Sequence, residues 1–452
     1  MGDTSRKSRD HVEAKTRKDE QILPENGYRL PKAVTPATVS QLEDGGKGSG
    51  INKTFLAKLL RDFLRRFMRG GSFGVGLYAG VRLVSALLRN PFRQTLPDVW
   101  RAVVSTDCAR VASFFGLYPS IYHMMVDVLR AVRTQKDGWT YGISGAVAGL
   151  SIAILDESRR KTVTFFTVAR ALGALVSTLV ARGHLGTLPF LEVWVFCACV
   201  SVIVYCTALK PQYLTPGYYR SIVKWSRDYS DEKLEKLFRV QGDRFLTCEE
   251  AGLHEGPCVR QRFEDCLRSL PGFAKLYLPI HLTPVLLFKR KVLKERPWYV
   301  LRSLAKNMVI STAFLGVMCS LAKLTICVLR DLAHLPPPLP SYIPAVAGAV
   351  CGLALILERF SRRKELSLFV LPHTFNILYI ALKRSRFASS LKVPHGFTLA
   401  FALSMSSIMH AFEREPDSLT ILIQGILRFF VGCSSNTTKA TMTTSRKTDK
   451  LG

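Results

Sequence analysis

Acidic residues are scarce in this sequence: 34 Asp and Glu stand against 63 Lys and Arg, leaving a net charge of +29 over 452 residues. That shortage leaves two readings, nucleic-acid binding or basic loops that fix topology and touch anionic lipid headgroups. The apolar patterning below favours the second, so membrane lipids are the expected partner and nucleic acid is not. Catalytic signatures are missing as well. There is no His-Glu-x-x-His, no P-loop and no Gly-x-Gly-x-x-Gly, which removes the commonest zinc-hydrolase and nucleotide-dependent chemistries. No Cys-x-x-Cys pair occurs, so an ordinary zinc ribbon is excluded. No apolar run precedes residue 54, and a secretory signal peptide is not expected.

What is abundant is apolar sequence in blocks. The chain is 48% hydrophobic and its mean hydropathy is positive. Apolar runs cover 111–129, 141–155, 162–181, 190–209, 308–329, 341–357, 366–382 and 397–412. Their lengths match a helix crossing a hydrocarbon layer about 30 Å thick, with several on the short side. The predicted fold is therefore an all-α integral membrane protein. Of the 11 cysteines, Cys197, Cys199, Cys206, Cys319, Cys327 and Cys351 fall inside such runs, where cysteine acts as a small hydrophobe.

The sequence also repeats itself. Gly145-Ala146-Val147-Ala148-Gly149-Leu150 matches Gly348-Ala349-Val350-Cys351-Gly352-Leu353, and Ser158-Arg159-Arg160-Lys161 matches Ser361-Arg362-Arg363-Lys364. Both matches have an offset of 203 (348 − 145; 361 − 158). Two tandem repeats of about four transmembrane helices each are predicted, at 73–225 and 271–432. They are flanked by a disordered polar tail (1–53), a basic amphipathic helix (54–72), an aqueous connector with a cysteine element (226–270) and a second disordered tail (433–452). The amphipathic helix suits either a membrane interface or packing on the bundle. Four helices per repeat would put both Ser-Arg-Arg-Lys segments on one side of the membrane, on the side of the tails and connector.

Four groups of residues are candidates for a role. Gly145 with Gly149, and Gly348 with Gly352, form Gly-x3-Gly faces suited to close helix packing. Arg159, Arg160, Lys161, Arg362, Arg363 and Lys364 suit either helix ends anchored at headgroups or recognition of an anionic lipid head. Arg170, Lys323 and His373 are polar groups inside apolar runs, suited to a cavity lining or to ion pairing; His373 is the equivalent of Arg170 at the same offset (373 − 170 = 203). Cys248, His254, Cys258 and Cys266 could meet a metal, form a disulfide or remain plain thiols. No metal and no cofactor are expected. His123, Asp127 and His281 are the residues an intramembrane lipid-modifying enzyme would have to use, although a His-x3-Asp pair is more often structural.

These residues resemble the transmembrane protein 135 family. The likeness rests on Cys248-x3-Gly252…Cys258, Leu276-Tyr277-Leu278, Lys289-Arg290-Lys291-Val292-Leu293 and Glu358-Arg359-Phe360-Ser361-Arg362-Arg363. Ala148-Gly149-Leu150-Ser151 and Leu209-Lys210-Pro211-x-Tyr213 match that family's other half. The likeness covers most of 73–430, with the order of the two halves exchanged. It implies the helical unit of the mitochondrial inner-membrane translocase family and of small peroxisomal membrane proteins. It further implies a peroxisomal or mitochondrial membrane, a non-enzymatic part in lipid and fatty-acid homeostasis and organelle organisation, and self-association or other organellar membrane proteins as partners. A protein-translocation subunit is the alternative. The resemblance transfers no catalytic residue.

Overall fold

The computed structural model describes residues 53–89, 95–132, 138–186, 188–288, 290–385 and 394–431, and the expected disordered tails lie outside them. Among the described residues the chain is all-helical, without a strand. It falls into two units. The described part of the small one, 280–305, holds the end of one long helix, a short helix α10 (Arg290–Glu295) and the start of another long helix. Everything below concerns the large unit.

Its helices are α1 (Lys53–Arg89), α2 (Thr95–Val103), α3 (Thr106–Val132), α4 (Gly138–Gly149), α5 (Glu157–Ala181), α6 (Leu191–Leu209), α7 (Pro216–Ser226) and α8 (Asp231–Phe238). They continue with α9 (Cys258–Phe288), α11 (Pro297–Ala333), α12 (Tyr342–Gly352), α13 (Phe360–Arg384), α14 (Gly396–Arg414) and α15 (Ile421–Phe430). Four helices are long and apolar enough to cross a membrane: Glu157–Ala181, Leu191–Leu209, Pro297–Ala333 and Arg362–Arg384 within α13. In three of them most of the apolar window is unburied, as expected for a surface that faces hydrocarbon.

Two stretches share an element order. Both α4 and α12 run into a 3₁₀ turn, Leu150–Ile154 and Leu353–Leu357. The next helices, α5 and α13, begin and end 203 residues apart (360 − 157; 384 − 181). Then α6 and α14 follow at 205 (396 − 191; 414 − 209), each preceded by a left-handed residue: Phe190 at φ 57° and His395 at φ 56°. Each ends in the same unusual bend, Lys210 at φ −137° and Glu415 at φ −138°. A proline-led 3₁₀ turn and a short helix close both stretches.

Two predicted boundaries are corrected. The amphipathic helix does not stop at residue 72 but runs unbroken through α1 to Arg89. Gly70 and Gly74 let α1 lie against α3; a Cβ at Gly74 would stand 2.8 Å from the Ala112 Cα. That packing offsets their poor helix propensity. The connector, in turn, ends at residue 257 rather than 270, because α9 starts at Cys258. Its charged first turns are helical because Arg262 and Asp265 are buried in ion pairs and not held in water.

The connector is a folded layer with a core of its own. Tyr229, Leu234, Leu237, Phe238, Ala251 and Leu253 pack on Ala208, Ile326 and Ile343. Arg239 donates to the carbonyls of Thr207 at 3.1 Å and Ala208 at 2.9 Å, which satisfies acceptors that the end of α6 leaves open. The connector is thereby bound to the helices beneath it.

Candidate functional site

The centre of the large unit is the crossing of α5 and α13. Near the start of α5, Lys161 Nζ lies 5.5 Å from the ring centroid of Tyr379, near the end of α13. Near the start of α13, Lys364 Nζ donates to Ser177 Oγ at 2.7 Å, near the end of α5. Between them Phe165 meets Phe375 and Phe166 meets His373. The two helices are therefore antiparallel. This corrects the expected topology: the two Ser-Arg-Arg-Lys segments lie at opposite ends of the helix pair. Four crossings per repeat would put both segments on one side; an odd number puts them on opposite sides.

From the middle of α5, Arg170 Nη1 donates to Glu365 Oε2 near the start of α13, in a half-buried ion pair. The other carboxylate oxygen, Glu365 Oε1, is buried without a hydrogen-bond partner. An ion pair among apolar side chains is costly to assemble and still more costly to break. His373, 203 residues on from Arg170 (373 − 170), does a different job. It stacks face to face on Tyr218 of α7, with ring centroids 4.1 Å apart, and Phe166 and Phe369 close its sides.

The arginines of the basic segments are committed to the protein's own acceptors. Arg159 pairs with Asp107 at 2.8 Å and Asp156 at 3.3 Å. Arg362 pairs with Glu358 at 3.5 Å. Arg160 Nη2 donates to the carbonyl of Ala153 at 2.9 Å, and Arg363 Nη2 to that of Ile356 at 2.6 Å. These two carbonyls are themselves 203 residues apart (356 − 153). Both arginines thus seal the end of a 3₁₀ turn, where carbonyls lack helical partners.

The glycine pairs face helices from the opposite stretch. A Cβ at Gly145 would stand 2.9 Å from Met405 O, and one at Gly149 2.8 Å from the Ala402 Cα. On the other side, Gly348 would meet the Ser201 Cα at 2.6 Å and Gly352 the Cys197 Cα at 2.7 Å. So α4 beds antiparallel on α14, and α12 beds antiparallel on α6. Backbones come that close only where side chains are absent.

Lys323 of α11 is buried between Asp265 and Asp228, 3.4 Å from the latter, and Arg262 joins the same cluster through Asp228. Two cations and two carboxylates balance there. The cysteine element is rearranged relative to expectation. Cys248, His254 and Cys258 come together, but the fourth member is Cys327 of α11. Cys266 packs against Gly316 instead. Nothing in the local spacing pointed to Cys327, which looks like one more small hydrophobe in an apolar run. Glu365, Tyr218, Arg262 and Arg330 also gave no signal, because each acquires its role from a distant partner.

Within the large unit, His123 and Asp127 each face a different partner. His123 Nε2 is bonded to the carbonyl of Val431 at 2.8 Å, and Asp127 lies 3.9 Å from Arg66. His281 belongs to the small unit. No known family's model and no solved structure matches this chain.

Proposed function

We propose that the chain is a non-enzymatic, multi-pass membrane protein built from two copies of one helical unit, inverted relative to each other. Its work would be to hold or pass lipid-like metabolites in a peroxisomal or mitochondrial membrane, as the resemblance to the transmembrane protein 135 family implies. The antiparallel crossing of α5 and α13 carries this reading. If these helices cross the bilayer, helices that correspond at a fixed offset cross it in opposite directions. An axis lying in the membrane plane then relates the copies, the arrangement in which binding sites form at mid-depth between repeats. Arg170 stands at the middle of α5, and its partner Glu365, near the start of α13, keeps one carboxylate oxygen, Oε1, without a hydrogen-bond partner and able to accept from a protonated headgroup.

Further support comes from the duplicated glycine faces and from apolar surface left uncovered. Leu56, Leu60, Leu64 and Met68 form an exposed stripe along α1, spaced by one helical turn and suited to lipid. The test is direct. Liposomes holding the purified chain should equilibrate a fluorescent fatty acid faster than empty liposomes, and Glu365→Gln should remove the gain. Equal rates with well-folded protein would end this reading.

A further inference from the structure

Cys248, His254, Cys258 and Cys327 each present one ligand atom, and all four atoms lie within 4.8 Å of one another. The separations are those of a metal tetrahedron. Zinc bonds to sulfur at about 2.3 Å and to imidazole nitrogen at about 2.0–2.1 Å, which sets a sulfur–sulfur edge of about 3.8 Å and a sulfur–nitrogen edge of about 3.5 Å. Cys248 Sγ and Cys258 Sγ are 3.8 Å apart. Cys327 Sγ and His254 Nε2 are 3.6 Å apart. A disulfide would require sulfurs about 2.05 Å apart.

Charge points the same way. Arg330 is 2% exposed, yet among the described residues it has no carboxylate partner. Its guanidinium donates from Nη2 to Cys248 Sγ at 3.1 Å, and its Nε and Nη1 are buried without partners. A buried guanidinium needs a counter-charge. Neutral thiols supply none. Zinc with three thiolates and a neutral imidazole carries −1 (+2 − 3) and supplies it at the atom Arg330 already contacts. Tyr229 Oη, 4.0 Å from Cys327 Sγ, stands in the same outer layer, where such partners hold ligands in place.

We propose that these four residues bind one zinc ion that staples the connector and the start of α9 to the end of α11. Four protein ligands close the tetrahedron and leave no position for water, so the centre is structural and not catalytic. Among the described residues it occurs once: Val128-Leu129-Arg130 matches Val328-Leu329-Arg330 at an offset of 200 (328 − 128), and at that offset Asp127 stands where Cys327 does. The site therefore distinguishes the two copies that the rest of the sequence makes alike.

The full chain, purified in detergent from zinc-supplemented cells without chelator, should carry about one zinc per chain by elemental analysis, as a closed four-ligand site requires. Cys327→Ala should lose the zinc, and Cys266→Ala should keep it. Because Cys327→Ala could fail to fold, His254→Cys serves as the second variant: it should retain zinc. With cobalt in place of zinc, it should also increase the thiolate-to-metal absorption over wild type. Monodisperse wild-type protein without stoichiometric metal would overturn the proposal. So would a Cys248–Cys258 disulfide found by peptide mapping, or equal metal loss in Cys266→Ala and Cys327→Ala.

Discussion

Gly352 leaves no space against Cys197: a Cβ on the glycine would stand 2.7 Å from the cysteine's Cα. Gly149 stands in the same relation to Ala402, at 2.8 Å. The intruding atom would meet backbone, which cannot rotate away. Gly352→Ala and Gly149→Ala should each destabilise the protein by about 1–3 kcal/mol, the usual range for overpacking. Gly76→Ala is the control. Nothing lies within 4 Å of that position, so a helix former there should be neutral or stabilising by up to about 1 kcal/mol. Thermal unfolding in detergent reads all three.

Arg170 and Glu365 offer a charge-pair test. Either Arg170→Leu or Glu365→Leu alone strands a charge in apolar surroundings and should cost up to about 3–5 kcal/mol. The double variant should be milder than the sum of the two, and the exchange Arg170→Glu with Glu365→Arg should recover part of the loss. Additive single effects in a double-mutant cycle would show that the two side chains do not act as a pair.

The antiparallel crossing predicts sidedness. In sealed, oriented vesicles, cysteines introduced at Ser158 and at Arg359, both exposed, should react with an impermeant maleimide from opposite faces. Peptide mapping identifies which site is labelled, so the native cysteines need not be removed. Labelling of both from one face would refute the inverted arrangement.

Asp231, outside the helices that could span a membrane, has its carboxyl held below its ordinary pKa, chiefly by the hydrogen bond from Tyr219 and then by Arg239. A lowered folded pKa means the contribution is present above the unfolded carboxylate value, about 3.9, and fades as pH falls through the folded one. The group is largely solvated, so the effect should stay under about 1 kcal/mol. Asp231→Asn should remove that increment at neutral pH and flatten the acid limb of stability below about pH 4. An unchanged acid limb would count against it.

The all-helical character and the glycine faces were legible in the sequence because both are local: run length gives the first and i, i+4 spacing the second. The paired motifs at offset 203 were legible too, but the later match at 205 was not. There, Pro211-x-x-Leu214-Thr215 matches Pro416-x-x-Leu419-Thr420, while α6 and α14 share only scattered identities, so the shared backbone geometry is what makes the match visible. The direction of α13 relative to α5 could not be read, since it depends on whether short segments such as α4 count as crossings. Cys327 was hidden for a different reason. A ligand 69 residues from its nearest companion (327 − 258) carries no spacing signal, and in an apolar run its sulfur is indistinguishable from a methyl group's stand-in.

The bedding of α4 on α14 has a consequence for how the chain is made. Gly149 and the Ala402 it touches are 253 residues apart in order of synthesis (402 − 149). An early-born helix must therefore wait, its smooth face unmatched, until α14 has left the ribosome. A chain stopped before residue 396 would strand that face, and neither half expressed by itself could reach maturity.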